Sequence, residues 1–93
     1  MENLKRLRVI FSGRVQGVGM RATAKLVVER YPVTGWVRNL PDGTVELQVQ
    51  GEVHIIEEVL EGIHSSMPGY IQRADRNWIS EIDAEKDFRI EYF

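Results

Sequence analysis

The sequence predicts an α+β fold in which two helices pack on one face of a mostly antiparallel sheet. Two amphipathic helical segments alternate with segments in which every second residue is apolar, the pattern of half-buried strands. The predicted order is strand, helix, strand, strand, helix, strand, strand, which is that of a split βαβ, ferredoxin-like sandwich. The 93 residues suffice for one core, so we expect residues 1–93 to form a single domain.

The first strand and the first helix flank a glycine-rich loop. Apolar residues alternate over about residues 5–13, which predicts the strand. The helix after the loop has one apolar stripe, and Pro32 is expected to end it. The stripe consists of Ala24, Val27, Val28 and Tyr31.

A tight turn is predicted between the second and third strands. The second strand covers residues 33–39, and the turn residues 40–43, Leu-Pro-Asp-Gly, suit a type I turn. The third strand alternates strictly, which predicts one dry face and one wet face. Its apolar residues are Val45, Leu47 and Val49, and its polar residues are Glu46, Gln48 and Gln50.

The remaining elements follow from similar patterns. A second amphipathic helix is predicted at roughly residues 52–65, and Pro68 with Gly69 breaks the chain after it. Residues 70–82 contain a fourth strand whose register the charged residues leave open. A last short strand carries Phe88, Ile90 and Tyr92 on alternate positions.

Composition excludes several classes of function. The net charge of −2 argues against a general nucleic-acid binder. With no cysteine, the chain has neither disulfides nor a thiolate nucleophile. No long apolar segment suggests a signal peptide or a membrane span, so we expect a cytoplasmic protein with no membrane partner. Eight of the 12 basic residues lie within residues 1–38 against two acids, which suits a small anionic ligand or, alternatively, a solvated basic face.

The loop between the first strand and the first helix has the composition of an anion site. Gly13, Gly17 and Gly19 permit positive φ angles, so the loop can turn its N–H groups inward. The first turn of a helix adds N–H groups without partners and the positive end of the helix dipole. Arg21 and Lys25 stand at that helix start without an acid, and a bound anion would compensate their charge.

Topology brings Asn39 to the same end of the sheet as this loop. The first two strands run parallel because a helix connects them, so their C-terminal ends lie at the same end of the sheet. With one strand between them, the loop and Asn39 would be roughly 10 Å apart, a gap that a phosphate and a water could bridge.

The segment GRVQGVGMR at residues 13–21, followed eighteen residues later by Asn39 in TGWVRNLPDGTVE, resembles the acylphosphatase family. The element order and the ending Phe88, Ile90, Tyr92 extend the resemblance over most of the chain. It implies hydrolysis of acyl phosphates to carboxylate and inorganic phosphate without metal or cofactor. We expect a small monomeric enzyme that binds no nucleic acid.

The resemblance also implies the roles of individual residues. Arg21 would bind the phosphoryl group together with backbone N–H groups of the loop 14–20, and Asn39 would hold the attacking water. The loop donors expected from the likeness are Gln16, Gly17, Val18, Gly19 and Met20. Met20 departs from the family pattern, which has an aromatic residue before the arginine, so we expect looser packing there.

Other interpretations of these residues stay open. Arg21 alone would be a surface arginine, and Asn39 alone a strand-end residue. Thr44 either supports Asn39 or only favours the strand, and Arg14 and Arg38 are expected to serve solubility. For the whole chain, the alternatives are a phosphate-sensing domain without catalysis and an RNA-binding ferredoxin-like module, although the aromatic signature of the latter is missing.

Overall fold

The computed structural model describes residues 4–92, which form two helices and a five-stranded sheet. The elements are β1 (Leu4–Gly13), α1 (Met20–Val28), β2 (Thr34–Asn39), β3 (Val45–Glu52), α2 (Val53–Ser66), β4 (Ile71–Ile79) and β5 (Phe88–Glu91). The order is the predicted one, and the α+β, ferredoxin-like class is confirmed.

The strands lie in the order β4-β1-β3-β2-β5. Both β1 and β2 pair antiparallel with β3, so they run parallel to each other with β3 between them, as the sequence predicts. β4 pairs antiparallel with β1, whereas β5 pairs parallel with β2. The C-terminal ends of β1, β2 and β5 therefore lie at one end of the sheet.

The core lies between the sheet and the two helices. The apolar residues of β1 and β3 face each other across the ladder, with Val9 opposite Leu47. The two helices pack closely at Gly62, where a Cβ atom would lie 2.9 Å from Cγ1 of Val27. The buried helix residues are Met20, Ala24, Val27, Val28, Ile56, Val59, Leu60 and Ile63.

The predicted wet face of β3 is wrong. Glu46 is only 2% exposed and Gln50 only 7%. Arg8 of β1 and Arg38 of β2 cover Glu46 from both sides, with Nε atoms 2.5 and 2.9 Å from its carboxylate oxygens. Since β3 is the central strand, long side chains of its neighbours shield its polar face, which alternation along one strand cannot reveal.

Arg6 extends this covered polar face. Its guanidinium is fully buried and donates to Gln48, Gln50 and the carboxylate of Glu85, the last at 2.7 Å. Gln50 in turn bonds both backbone groups of Ile82. The segment between β4 and β5 is thereby tied across the back of the sheet.

The first helix ends earlier than predicted. α1 stops at Val28, and the N–H groups of Arg30 and Tyr31 continue with bonds to carbonyls three residues back. A residue before proline avoids the α conformation, so Pro32 already disfavours the helix at Tyr31. Tyr31 is still packed against the core.

The register of β4, which the sequence left open, places Arg76 opposite the buried Val9. Its guanidinium pairs with the carboxylate of Glu57 on α2, at 2.5 Å. An arginine on the helix side of this edge strand is thus compensated by an acid from the helix above it.

Candidate active site

The glycine loop leaves the sheet at Gly13, where the surrounding backbone leaves no room for a side chain. Gly13 has a φ of 122°, and a Cβ atom there would lie 2.5 Å from the carbonyl oxygen of Tyr70. The next N–H, of Arg14, donates to that same oxygen at 2.9 Å, and the Arg14 guanidinium lies over the Tyr70 ring. The start of the loop is therefore held against the start of β4.

The loop and the first helical turn present a row of backbone donors. Gly19 caps α1 in the left-handed region with a φ of 80°, and it supplies no side-chain acceptor. The first turn holds no acid. The N–H groups of residues 16–22 donate no hydrogen bond to a backbone carbonyl among the loop and turn bonds of residues 4–92. These N–H groups are the orphan donors of a helix start, extended into the loop.

Gln16 ties this loop to the turn after β2. Its Nε2 lies 2.8 Å from the carbonyl oxygens of both Leu40 and Thr44. The sequence predicted only a backbone donor at Gln16, so this side-chain bridge was missed. It holds the glycine loop beside the residue that follows Asn39.

Arg21 lies in the first turn of α1 and is half-buried. No ion pair found among residues 4–92 includes it. Its Cζ lies 5.1 Å from the centroid of the Tyr92 ring, a cation–π distance. The charge at this helix start therefore has an aromatic neighbour and no carboxylate partner within the described chain.

Lys25 does not share this position. Its Nζ donates to the carbonyl oxygen of Phe88 at 3.1 Å. No ion pair found among residues 4–92 includes Lys25, but its ammonium lies at the backbone of β5 and does not line the cavity that contains Arg21 and Asn39.

Asn39 ends β2 opposite Val45 and is half-buried. Among the side-chain hydrogen bonds of the described residues, none involves its carboxamide. The nearby Thr44 hydroxyl donates to Asp42 at 2.6 Å rather than supporting Asn39. That bond and the one from the Thr44 backbone hold the pKa of Asp42 below its ordinary value.

These elements line one open cavity of about 170 Å³. Its polar side consists of Gly17, Gly19, Arg21 and Asn39. The volume is several times the roughly 30 Å³ that one water occupies in the liquid, so a phosphoryl group and a water fit together. The predicted meeting of the glycine loop with Asn39 is thus found at the end of the sheet that topology indicated.

Except for Met20, whose backbone N–H was predicted as a donor, the apolar side of the cavity was missed. It consists of Val15, Met20, Ala22, Ile90 and Tyr92. Alternation had marked Ile90 and Tyr92 as strand residues, but nothing local indicates that β5 pairs parallel with β2 and so extends beside Asn39.

The other loop residues support the backbone rather than the cavity chemistry. Met20 is 2% exposed and belongs to the core, which does not bear out looser packing there. Val18 packs against the same core, half-buried. Both side chains anchor the loop, and its N–H groups from residue 16 onward have no backbone acceptor within residues 4–92.

No group of three or more His, Asp or Glu residues within 4–92 is placed to hold a metal ion. None of the helices there is long and apolar enough to cross a membrane.

Comparison with known proteins assigns the family. The family model for acylphosphatase matches residues 7–90. The chain is 37% identical over 87 residues to an acylphosphatase of Salinibacter ruber, covering 92% of each chain. It is 45% identical over 69 residues to an acylphosphatase of Methanospirillum hungatei, covering 74% of this chain and 76% of that one. It is also similar to the solved structure of an acylphosphatase from Coxiella burnetii, with a TM-score of 0.84, 32% identity, and coverage of 97% of this chain and 95% of that one. With its fold, its glycine loop and these relatives, the chain belongs to the acylphosphatase family of enzymes.

Proposed function

We propose that this protein hydrolyses acyl phosphates to a carboxylate and inorganic phosphate without a metal ion. Arg21 and the backbone N–H groups of the loop 14–20 hold the phosphoryl group, and Asn39 orients the attacking water. The observation that carries the proposal is that three kinds of group meet at one cavity. Within the described chain they are an arginine without a carboxylate partner, N–H groups without a backbone acceptor, and a carboxamide without a side-chain hydrogen bond.

The reaction breaks the bond between phosphorus and the bridging oxygen. The water oxygen forms a new bond to phosphorus, the carboxylate leaves with the bridging electrons, and the water proton passes to a phosphate oxygen. Because a carboxylate is a stable leaving group, departure needs no general acid. The cavity side chains accordingly need to supply position and charge rather than an acid–base pair.

Arg21 supplies the charge. Phosphoryl transfer passes through a loose transition state with negative charge on the equatorial oxygens, which fixed donors stabilise. A guanidinium offers two parallel donors to such oxygens. The N–H groups of Gly17, Val18 and Gly19 act with it, since they are preorganised by positive φ angles at the two glycines.

Asn39 supplies the position of the water. A neutral amide oxygen accepts a hydrogen bond from the water and so aims the lone pair of the water oxygen at phosphorus. Attack on a loosely bonded phosphorus depends on this orientation more than on a strong base. The Gln16 bridge supports this role because it sets the spacing between the loop and the turn that follows Asn39.

We propose further that the protein acts in the cytoplasm as a monomer. Arg21, Asn39 and the loop N–H groups, which the proposed reaction uses, all belong to one chain.

The deciding experiment is hydrolysis of benzoyl phosphate and acetyl phosphate with a chelator present. Turnover well above the spontaneous rate, unchanged by the chelator, is expected. No turnover, or turnover only with added metal, would overturn the proposal. Phosphate binding without turnover would instead identify a phosphate-sensing domain, and salt-dependent RNA binding without turnover an RNA-binding module.

A further inference from the structure

The apolar side of the cavity includes the aromatic ring of Tyr92, which is not part of the buried core. Tyr92 is 79% exposed, whereas Phe88 and Ile90, four and two residues earlier on the same face of the strand, are buried and half-buried. A large ring left so exposed contributes little to folding. Its place at the mouth of the cavity calls for another role.

Strand pairing sets Tyr92 beside Asn39. β5 and β2 pair in parallel register up to Glu91 opposite Arg38, and the residues that follow directly, Tyr92 and Asn39, both line the cavity. Adjacent strands lie about 4.8 Å apart. Since side chains alternate between faces, Ile90 and Tyr92 point to the helix side with Phe88 and border the space beneath the start of α1.

The ring also lies next to the proposed phosphate donor. The Arg21 guanidinium is 5.1 Å from the ring centroid. In an acyl phosphate, one bridging oxygen separates the phosphorus from the acyl carbon. A phosphoryl group bound at Arg21 would thus hold its acyl group within reach of Tyr92 and Ile90, while the polar side of the cavity is taken by the phosphoryl oxygens.

From this arrangement we infer that Tyr92 and Ile90 form a binding surface for the acyl group and give the enzyme a preference for aromatic acyl phosphates. An aromatic acyl group packs offset or edge-on against the Tyr92 ring and covers the exposed part of Ile90. An acetyl group is too small to bury either surface. The inference rests on the proposed function and names the substrate class of that same cavity.

A different role for Tyr92 is to hold Arg21 in place through the cation–π contact. The two roles separate by substrate. Loss of an acyl surface affects aromatic substrates alone, whereas displacement of Arg21 weakens every phosphate ligand, inorganic phosphate included.

The test compares Tyr92→Ala with the wild type on benzoyl phosphate and acetyl phosphate, with inorganic phosphate as a competitive inhibitor. We expect kcat/KM for benzoyl phosphate to fall about fivefold, chiefly through KM, while acetyl phosphate hydrolysis and the phosphate Ki change less than about twofold. Tyr92→Phe should keep the preference. Trp78→Ala, which removes a 48% exposed aromatic from the opposite edge strand, should leave all three values unchanged.

The other outcomes distinguish failure of the proposed function from failure of the inference. If the wild type hydrolyses neither substrate, the proposed function fails, and the inference that rests on it fails as well. If it hydrolyses both and Tyr92→Ala shifts both substrates and the phosphate Ki equally, the ring positions Arg21 and the acyl surface is refuted. If Tyr92→Ala changes none of the three, the ring takes no part in binding and the inference is likewise refuted.

Discussion

Gln16 donates from Nε2 to the carbonyl oxygen of Leu40 at 2.8 Å, a side-chain bond across 24 residues that joins the glycine loop to the end of β2. The same nitrogen reaches the carbonyl of Thr44. Both carbonyls also accept backbone N–H groups, so the turn keeps its own closure without Gln16. The main effect of the bridge is therefore to set the distance between the glycine loop and the turn after β2. Neither of these segments depends on it for its own conformation.

Gln16→Ala should consequently lower activity more than stability. We expect kcat to fall about tenfold, since a shift of a fraction of an ångström between phosphate and water misaligns the attack. Unfolding free energy should fall by only about 1 kcal/mol. Steady-state kinetics and urea unfolding measure the two effects. Gln72→Ala, an exposed glutamine on β4, is the matched control, and an equal effect of both variants on kcat would contradict the bridging role.

Substitutions at Arg21 and Asn39 should separate binding from rate. Arg21→Ala should weaken inorganic phosphate binding by roughly 10- to 100-fold and lower kcat as well, because it removes a charge-assisted, two-pronged contact. Arg21→Lys should restore only part of the loss, since an ammonium lacks the planar fork. Arg30→Ala removes an exposed arginine just beyond the C-terminal end of α1 and serves as the control.

Asn39→Ala should lower kcat by roughly 100-fold and leave the phosphate Ki within about twofold, since the amide acts on water rather than on phosphate. Phosphate inhibition constants and kcat are measured on the same preparations. Asn77→Ala, an exposed asparagine on β4, controls for loss of an amide. If Asn39→Ala weakened phosphate binding as much as Arg21→Ala, the water-positioning role would be refuted.

The buried carboxylate of Glu46 should make stability depend on acid pH. Burial acts to raise its pKa, but hydrogen bonds from Arg8, Gln48 and Arg38 outweigh burial and lower the pKa below its ordinary value of 4.5. A lowered pKa in the folded state means that the stabilisation is complete well above pH 4.5 and is lost as the pH falls below that value.

Glu46→Gln should therefore be less stable than the wild type at pH 7, with a difference that shrinks as the pH falls below 4.5. Urea unfolding at a series of pH values between neutral and acid measures the difference. Glu58→Gln, an exposed glutamate on α2, should show no such narrowing. A gap for Glu46→Gln that stays constant over the whole range would contradict the assignment of this pH dependence to Glu46.

Local patterns were sufficient for the elements and for half of the cavity. Alternation and helical stripes predicted every strand and helix in order, and the glycine spacing with Asn39 predicted which ends of the strands meet. Four features were missed: the covered face of β3, the direction of Lys25, the Gln16 bridge, and Tyr92 beside Arg21. In each case the partner comes from a distant segment, so no periodicity within one segment contains the information.

By itself, the sequence determined the α+β class, the order of the elements and the meeting of a glycine loop with Asn39, because backbone periodicity, glycine conformation and the handedness of the connection are local properties. Only the tertiary structure decided which side chains complete the cavity. The parallel pairing of β5 with β2 brings Tyr92 to Arg21, and the packing of the loop against the turn gives Gln16 its two acceptors. Both contacts join residues far apart in the chain, and their geometry exists only once the core has fixed the spacing between elements.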